Sequence, residues 1–293
     1  MKALARKILP RRIYDLLHGY MYRKQRVTRI KCGAYEIQSP ANHQLIALLK
    51  SQPYRHLCVG VVAKYVSEKY PGGSIVDIGA NIGDTAAIIA THSRNKLILI
   101  EASDYYFDFL VRNVSQLSNE VVVKKSMISN GRNLVGFLSH QGGTAYFDEG
   151  ARGKTQVKTE RLSDVADENT CFVKTDTDGY DFEILIDSLE WLGKKHPAII
   201  LENQISNGKD LDTANELYAR LRQIGYEYFI VWDDPGCHLV STTSLDVLKD
   251  LNRYLLKVSQ RDGRKSIYNY DVLCLHRNDE DIYNIVRGWC TSY

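Results

Sequence analysis

The segment IVDIGANIG at residues 75–83 limits the folds open to this chain more than any other. Its first four residues are mostly apolar, which is typical of a strand buried in a parallel sheet. The turn that follows contains three residues suited to a sharp reversal of the backbone: Gly79, Asn81 and Gly83. From Asp84 the sequence predicts a helix whose first N–H groups can hold an anion. The segment therefore predicts an α/β fold with a cofactor-binding turn.

A second strand supports this interpretation. Residues 96–100 form another apolar run, which ends at Glu101, 18 residues after Gly83. In nucleotide-binding α/β folds an acid at this place binds the ribose hydroxyls. A dinucleotide fingerprint, however, has its second glycine where this chain has Asn81, and that glycine lets a pyrophosphate approach the backbone. The side chain of Asn81 therefore argues against NAD.

Five motifs occur in one order along residues 70–205. They are VDIGANIGD at 76–84, IEAS at 100–103, VKTERLSDV at 157–165, FVKTDTDGYDFEIL at 172–185 and IILENQ at 199–204. In these motifs the chain resembles the FkbM-type, S-adenosylmethionine-dependent O-methyltransferases. It departs from the family pattern at Asp178, where the family usually has Glu before the glycine. The change shortens the reach of the carboxylate by one methylene group.

The resemblance implies which residues hold S-adenosylmethionine. It places four residues at the methionine end of the cofactor: Asp77, Gly79, Asn81 and Gly83. It places Glu101 at the ribose. An acid near the ammonium group and helix N–H groups near the carboxylate suit a zwitterionic tail. Ser126 and Met127 follow a predicted strand, where they would flank the adenine.

Methyl transfer to a hydroxyl group requires in-line positioning and removal of the hydroxyl proton. Lys174, Asp176 and Asp178 stand two residues apart at the end of a predicted strand, so their side chains point to the same side. We expect Asp176 or Lys174 to accept the proton, and Glu202 at the end of the next strand to line the acceptor site. The alternative is that Lys174 and Asp176 only pair with each other.

The same strand ends raise the question of a metal. Asp176, Glu202 and Asn203 carry oxygen atoms of the kind that bind Mg²⁺, and some small-molecule O-methyltransferases use a similar set. Carboxylates around a cationic sulfonium also account for these residues without a metal. The six cysteines include no C-x-x-C pair, so neither a zinc site nor a disulfide framework is indicated.

The predicted fold class is α/β. We expect a Rossmann-like class I methyltransferase fold with about seven strands in a mostly parallel sheet and helices on both faces. At 293 residues the chain is long enough to bury a full core. We expect a basic N-terminal helical extension at residues 1–70 and the methyltransferase domain at residues 71–293. A glycine-rich run at residues 130–160 predicts a hairpin that could act as a lid.

Positive charge is concentrated at the N-terminus. Residues 1–31 hold ten Lys or Arg and one acid, so the net charge of +3 consists of +9 there and −6 elsewhere. Four apolar residues recur at helical spacing between the cations: Ile13, Leu16, Leu17 and Tyr20. The pattern predicts a basic amphipathic helix, which either docks on the protein or contacts an anionic membrane. The acidic remainder argues against a nucleic-acid partner.

These observations define the expected function. The resemblance implies O-methylation of a hydroxyl group, with a small molecule or a sugar as acceptor, in a glycan, a surface polysaccharide or its lipid-linked precursor. The expected location is the cytoplasm, including the inner face of the membrane, because no apolar run is long enough for a spanning helix. Two alternatives are a NAD-type oxidoreductase, which Asn81 disfavours, and a nucleotide-binding protein without activity, against which Asp176 and Glu202 argue.

Overall fold

The computed structural model describes residues 26–52, 54–129, 134–148, 155–157, 159–259, 267 and 269–291. The first half contains β1 (Val27–Cys32), β2 (Tyr35–Pro40), α1 (Leu45–Ser51), α2 (Leu57–Lys69), β3 (Ser74–Ile78), α3 (Asp84–His92), β4 (Lys96–Ile100), α4 (Asp104–Val114), β5 (Val121–Lys124), β6 (Met127–Ile128), β7 (Leu134–Gln141) and β8 (Thr144–Asp148). The second half contains β9 (Thr155–Val157), β10 (Thr159–Glu160), α5 (Leu162–Val165), β11 (Thr170–Thr175), α6 (Asp181–Asp187), α7 (Leu189–Lys195), β12 (Ala198–Gln204), α8 (Gly208–Gln223), β13 (Tyr226–Asp233), β14 (His238–Thr242), α9 (Leu245–Ser259), β15 (Asn269–His276) and α10 (Glu280–Cys290).

The central sheet has eight strands in the order β14-β13-β15-β12-β11-β3-β4-β5. Strands β3, β4, β5, β11 and β12 are parallel, and β15 lies antiparallel between β12 and β13. Every residue of β3 and β11 is buried, as expected for parallel strands covered on both faces. The predicted fold class is confirmed. The strand beyond the expected seven is β14, which pairs antiparallel with the edge of β13.

Helices cover both faces of this sheet, as predicted. On one face, α2, α3 and α10 pack on the sheet through apolar side chains that include Val62, Val66, Ile89 and Val286. On the other face, α6, α7, α8 and α9 do so through Leu185, Leu192, Leu217 and Leu248, among others. Because β3, β4, β11 and β12 are parallel, their carboxyl ends meet at one edge of the sheet. Ligands of open α/β sheets bind at this edge.

The N-terminal part differs from the expected helical extension at 1–70. Strands β1 and β2 form an antiparallel hairpin with Cys32 paired to Tyr35. Side chains along them alternate in burial, which is the period of a strand and not of a helix. Helix α2 belongs to the core of the domain, since Val62 and Val66 are completely buried. The helix predicted around residues 13–20 lies outside the described residues.

The glycine-rich run contains the predicted hairpin. Strands β7 and β8 pair antiparallel around Gly142 and Gly143, which both have positive φ. The tip of this hairpin lies against the cofactor turn: the N–H of Gln44 donates to the Gly142 oxygen at 2.7 Å, and the Asn81 amide donates to the Gly143 oxygen at 2.6 Å. Within the described ranges, no helix is long and apolar enough to cross a membrane.

Candidate functional site

The turn after β3 lies between the ends of β4 and β11 and contacts both. The N–H groups of Gly79 and Ala80 both donate to the Ile100 oxygen, at 3.0 and 2.9 Å. Gly79 has φ +80°, and a Cβ atom there would collide with the backbone oxygen of Asp176. Asn81 has φ +48°, a conformation that Asn tolerates better than most residues. The turn therefore holds its shape through backbone contacts with β4 and β11.

Gly83 has a different role. It precedes α3 with φ +87°, and a Cβ atom there would lie 3.0 Å from Leu110 and 3.3 Å from Val114. The missing side chain lets α3 approach α4. The sequence analysis assigned Gly83 to the methionine end of the cofactor, but the structure sets it back from the cleft.

A cleft of about 600 Å³ lies beside the turn at the carboxyl ends of β3, β4 and β11. Its walls combine apolar side chains with a few polar groups: Ile78, Gly79, Asn81, Ile100, Glu101, Ala102, Ser126, Met127, Ile128, Leu138, Asp176, Thr177, Asp178, Tyr180 and Ile184. This composition is typical of small-molecule and cofactor sites. Five residues predicted to bind the cofactor line it, namely Gly79, Asn81, Glu101, Ser126 and Met127.

Glu101 lines the cleft through a carboxylate held by the backbone. Its carboxylate accepts the N–H of Asn81 at 2.8 Å and the N–H of Ser103 at 2.7 Å. Because only 5% of the residue is exposed, burial raises the pKa of Glu101 to about 7, even though these hydrogen bonds favour the charged form. The two N–H donors fix the orientation of the carboxylate. Its remaining lone pairs can accept two vicinal hydroxyl groups.

The cleft also holds buried polar atoms that lack a partner. Among the described residues, Ser126 Oγ and Thr177 Oγ1 have no hydrogen bond, and both residues line the cleft. Buried polar groups in native proteins are nearly always paired, with a ligand or water where the protein supplies no partner. The apolar walls, the oriented Glu101 and these two hydroxyl groups fit an adenosine group. The residues present therefore suit S-adenosylmethionine.

Lys174 joins two carboxylates behind the turn. Its Nζ lies 3.3 Å from Asp77 Oδ1 and 3.2 Å from Asp176 Oδ2. Burial opposes the charge of Lys174, but Asp176, Asp77 and Asp84 outweigh it and raise the pKa of Lys174. Lys174 is therefore protonated, which corrects the expectation that it could accept a proton. Asp77 is completely buried at this pair and set back from the cleft, so the structure does not place it at the methionine end.

Asp176 is the more exposed of the two carboxylates that pair with Lys174. Burial disfavours its ionisation, but the charge of Lys174 outweighs this effect and lowers the pKa of Asp176. Asp176 is thus an ionised hydrogen-bond acceptor and a weak base. The ion pair that the sequence analysis kept as an alternative is present.

A second cavity of about 650 Å³ adjoins the cleft. Most of its lining residues are polar: His43, Gln44, Leu45, Leu48, Arg55, His56, Gly79, Asn81, Asp84, Thr85, Gly143, Thr144, Lys174, Asp176, Asp178 and Glu202. It shares four of these with the cleft, namely Gly79, Asn81, Asp176 and Asp178. The three residues predicted to be catalytic, Lys174, Asp176 and Glu202, all line this second cavity, which we call the acceptor cavity.

Asp178 is the residue at which the chain departs from the family pattern. It lines both the cleft and the acceptor cavity, on the wall that the two share. Its φ is +54°, and Gly179 follows with φ +106°. Burial, followed by the neighbouring charges of Asp176 and Asp181, raises the pKa of Asp178 to about 7. The backbone thus turns sharply here and directs a readily protonated carboxyl group to the wall.

The sequence analysis assigned no role to two histidines that line the acceptor cavity. His43 accepts the N–H of Leu45 on Nδ1 at 3.2 Å, so its proton is on Nε2, which lies 3.2 Å from Asn81 Oδ1. The Asn81 amide in turn binds Gly143. His43 therefore connects the hairpin tip to the cofactor turn.

His56 is the second of these histidines. It precedes α2 with φ +63°, and its Nε2 lies 3.9 Å from Asp84 Oδ2 at the start of α3. Its neighbour Arg55 forms an ion pair with Asp234 at 2.7 Å. No local pattern in the sequence indicates these contacts, because they join residues far apart along the chain.

The strand ends do not bring together the three residues considered as magnesium ligands. Glu202 lines the acceptor cavity, with Oε1 accepting from Asn269 and Oε2 unpaired among the described residues. Asn203 points to the opposite face of the sheet, where it is fully buried and bonded to Tyr218 and Asn252. Adjacent strand residues face opposite ways, so Glu202 and Asn203 cannot share a metal. The described residues include no group of three or more His, Cys, Asp or Glu placed to hold one.

Residues 77–228, slightly more than half of the chain, match the family model of the methyltransferase FkbM domain. No curated protein matches the chain at a significant level.

Solved structures show distant likenesses. A methyltransferase FkbM from Methylobacillus flagellatus KT has 12% identity and a TM-score of 0.37, over 69% of this chain and 43% of that protein. M. jannaschii TYW2 in complex with AdoMet has 14% identity and a TM-score of 0.42, over 86% of each chain. Trm5b from Pyrococcus abyssi has 9% identity and a TM-score of 0.45, over 86% of this chain and 56% of that one. At this distance the likenesses carry no functional inference.

Proposed function

The chain belongs to the methyltransferase FkbM family, and from this premise we propose that it transfers the methyl group of S-adenosylmethionine to a hydroxyl group of a sugar. The observation that carries the proposal is the shared wall. The cofactor cleft and the acceptor cavity meet at Gly79, Asn81, Asp176 and Asp178. Two sites that meet in this way can bring a donor and an acceptor into line.

The cofactor would supply an activated methyl group. We propose that Glu101 binds its ribose hydroxyls and that the apolar walls around Met127 and Ile128 hold its adenine. Ser126 and Thr177 would supply hydroxyl partners for polar atoms of the ligand, since both hydroxyls are buried and unpaired among the described residues. The turn at Gly79 and Asn81 would face the methionine end. Each of these groups orients the cofactor, and orientation is most of what methyl transfer requires from a protein.

The acceptor cavity favours a polyhydroxylated ligand. Its walls carry carboxyl groups at Asp84, Asp176 and Glu202 and a cation at Arg55, all of which can bind hydroxyl groups. Because Asp176 is ionised, we propose that it accepts a hydrogen bond from an acceptor hydroxyl and faces the sulfonium. Lys174 holds Asp176 in place, and Glu202 contacts a second hydroxyl. These features support a sugar in a glycan, a surface polysaccharide or a lipid-linked precursor.

Calorimetry tests the cofactor assignment. We expect S-adenosylmethionine to bind the full chain and NAD not to bind. Glu101→Gln should weaken S-adenosylmethionine binding by about 10- to 100-fold, as expected for a lost charge-assisted hydrogen bond. The matched control is Glu120→Gln. Glu120 lies near the other end of β4 with an exposed side chain that pairs with Lys96, so its replacement should leave the affinity unchanged.

The calorimetric results distinguish a methyltransferase from an oxidoreductase. Binding of NAD in place of S-adenosylmethionine would support the oxidoreductase and contradict the proposal. Folded protein that binds neither compound would contradict any role of the cleft in nucleotide binding.

The acceptor class is tested with methyl-labelled S-adenosylmethionine. We expect label to pass to methyl glycosides of hexoses or 6-deoxyhexoses, and not to catechol or to a serine-containing peptide. Label found only on the peptide or on catechol would contradict a sugar acceptor while leaving the methyltransferase assignment in place.

A further inference from the structure

We propose that His56, which lies beside Asp84, is the general base that removes the proton from the acceptor hydroxyl. This inference rests on the proposed function and adds a catalytic residue to it. The family match starts at residue 77, so it does not include His56. The assignment follows from where the fold places this side chain.

The position of His56 carries the inference. The residue lines the acceptor cavity together with Asp176, which lies on the wall shared with the cofactor cleft. A base for the acceptor hydroxyl must reach that hydroxyl from the acceptor side while the methyl group arrives from the cofactor side. His56 stands on the acceptor side.

The backbone of His56 supports a functional role. His56 has φ +63°, in the left-handed region that a side chain other than Gly or Asn adopts at a cost. Strained positions of this kind cluster at active sites, where the surrounding structure maintains them. Here the conformation directs the ring toward Asp84, whose carboxylate is 3.9 Å from Nε2.

The surroundings keep the ring neutral before reaction. Burial lowers the pKa of His56, and the positive charges of Arg55 on its own segment and Lys174 on β11 lower it further. Asp84 on α3 and Asp176 after β11 act in the opposite direction without outweighing them. A neutral imidazole can accept a proton, and the carboxylate of Asp84 then stabilises the imidazolium that forms.

Three groups in the cavity, Lys174, Asp176 and His43, are less suitable. Lys174 is protonated, and Asp176 is a weak base because Lys174 lowers its pKa. His43 accepts the Leu45 N–H on its deprotonated nitrogen, so that nitrogen is occupied. In Lys174, Asp176 and His43, a neighbouring group reduces the capacity of the side chain to accept a proton.

Burial raises the pKa of Glu202 well above its ordinary value, so its carboxyl group holds a proton. Asp178, whose pKa is raised to about 7, is the competing base.

The acceptor O–H bond breaks and its proton passes to the His56 ring. The oxygen forms a bond to the methyl carbon, the carbon–sulfur bond breaks, and its electron pair remains on sulfur. The products are the methyl ether, S-adenosylhomocysteine and an imidazolium that returns its proton to solvent.

Chemical rescue tests the assignment directly. His56→Gly suits the left-handed backbone and leaves room for free imidazole. With a methyl glycoside that the wild type accepts, we expect kcat to fall by about 10²- to 10⁴-fold while calorimetric affinity for S-adenosylmethionine is retained. Added imidazole should restore part of kcat with a pH dependence set by its own pKa. A variant with wild-type kcat, or one that imidazole cannot rescue while its fold and cofactor affinity are intact, would overturn the proposal.

The matched control is His196→Gly. His196 is also a left-handed histidine, with φ +53°, but it precedes β12 at the opposite edge of the sheet. This variant should keep wild-type kcat and show no response to imidazole. An equal loss in both variants would assign the effect to folding and contradict the catalytic role.

Histidine NMR provides a test that needs no acceptor. In the full chain the His56 ring should be neutral at pH 7, and Asp84→Asn should lower its pKa further, since a carboxylate that favours the imidazolium is removed. A His56 ring that is protonated at pH 7 would overturn the proposal whatever the acceptor. Failure of S-adenosylmethionine to bind in calorimetry, by contrast, would contradict the proposed function itself, so the two failures are distinguishable.

Discussion

Position 79 requires glycine for two reasons: the backbone there is left-handed, and neighbouring atoms leave no room for a side chain. From the sequence, Gly79 was assigned to a sharp turn at the methionine end of the cofactor, whereas in the structure the nearest obstacle to a side chain is the backbone oxygen of Asp176. The residue therefore sets the distance between the turn after β3 and the end of β11. Because both segments line the shared wall, that distance also sets the geometry between donor and acceptor.

Gly79→Ala should destabilise the protein more than Gly72→Ala. Gly72 has a similar φ of +77°, but nothing lies within 4 Å of the position of an added Cβ. We expect about 1 kcal/mol for Gly72→Ala, the cost of the left-handed conformation, and about 2 kcal/mol more for Gly79→Ala from the collision. Chemical denaturation of both variants measures the difference. Equal losses would show that Asp176 moves away without cost.

At the scale of elements, polar contacts attach the hairpin β7–β8 to the cofactor turn. Asn81 donates to Gly143 and contacts His43, and Gln44 donates to Gly142. These contacts join the hairpin tip to the segment before α1. A ligand that displaces them would release the hairpin, and one that adds contacts would close it.

Asn81→Asp tests this attachment, because it keeps the shape of the side chain and replaces the donor by an acceptor. Loss of one buried hydrogen bond is worth about 1 to 1.5 kcal/mol, which corresponds to roughly tenfold faster local opening. We expect amide hydrogen exchange in residues 141–148 to accelerate by about that factor, with α2 unchanged. Unchanged exchange at the hairpin tip would show that the Asn81 bond does not hold it.

Prediction from sequence succeeded where the determinants are local. The strand, turn and helix at residues 75–90 and the acid at Glu101 follow from patterns within a few residues of each other. His56 and Arg55 could not be found in this way, since Arg55 is fixed by Asp234, 179 positions along the chain. The metal set considered for Glu202 and Asn203 could have been excluded from the sequence, because neighbours on a strand face opposite sides of the sheet.

At the scale of the whole molecule, the fold collects acidic groups at one edge of the sheet. Burial is the largest cause that raises the pKa of Glu101, Asp178 and Asp271 to about 7 and that of Asp181 to about 6. A cationic ligand at this edge would offset their mutual repulsion. The arrangement suits a sulfonium and makes the stability of the ligand-free protein depend on pH.

The stability that these carboxyls contribute should fall as the pH rises from about 4.5 to 7. The folded protein binds protons on them that the unfolded chain has already released, so their contribution to the free energy of unfolding decreases through this range. For Glu101, with an ordinary pKa of 4.5 raised to about 7, the loss is about 3 kcal/mol. Denaturation at pH 5 and pH 8 should show a smaller decrease in Glu101→Gln than in the wild type. An equal decrease would contradict the assigned pKa of Glu101.

The central claim is that donor and acceptor meet at the wall shared by the cofactor cleft and the acceptor cavity. A crystal structure with S-adenosylhomocysteine measures this directly. We predict the ribose at Glu101, the adenine beside Met127 and Ile128, and the sulfur at the wall formed by Gly79, Asn81 and Asp176, open toward His56. Ligand density elsewhere, or a sulfur that faces away from the acceptor cavity, would contradict the account.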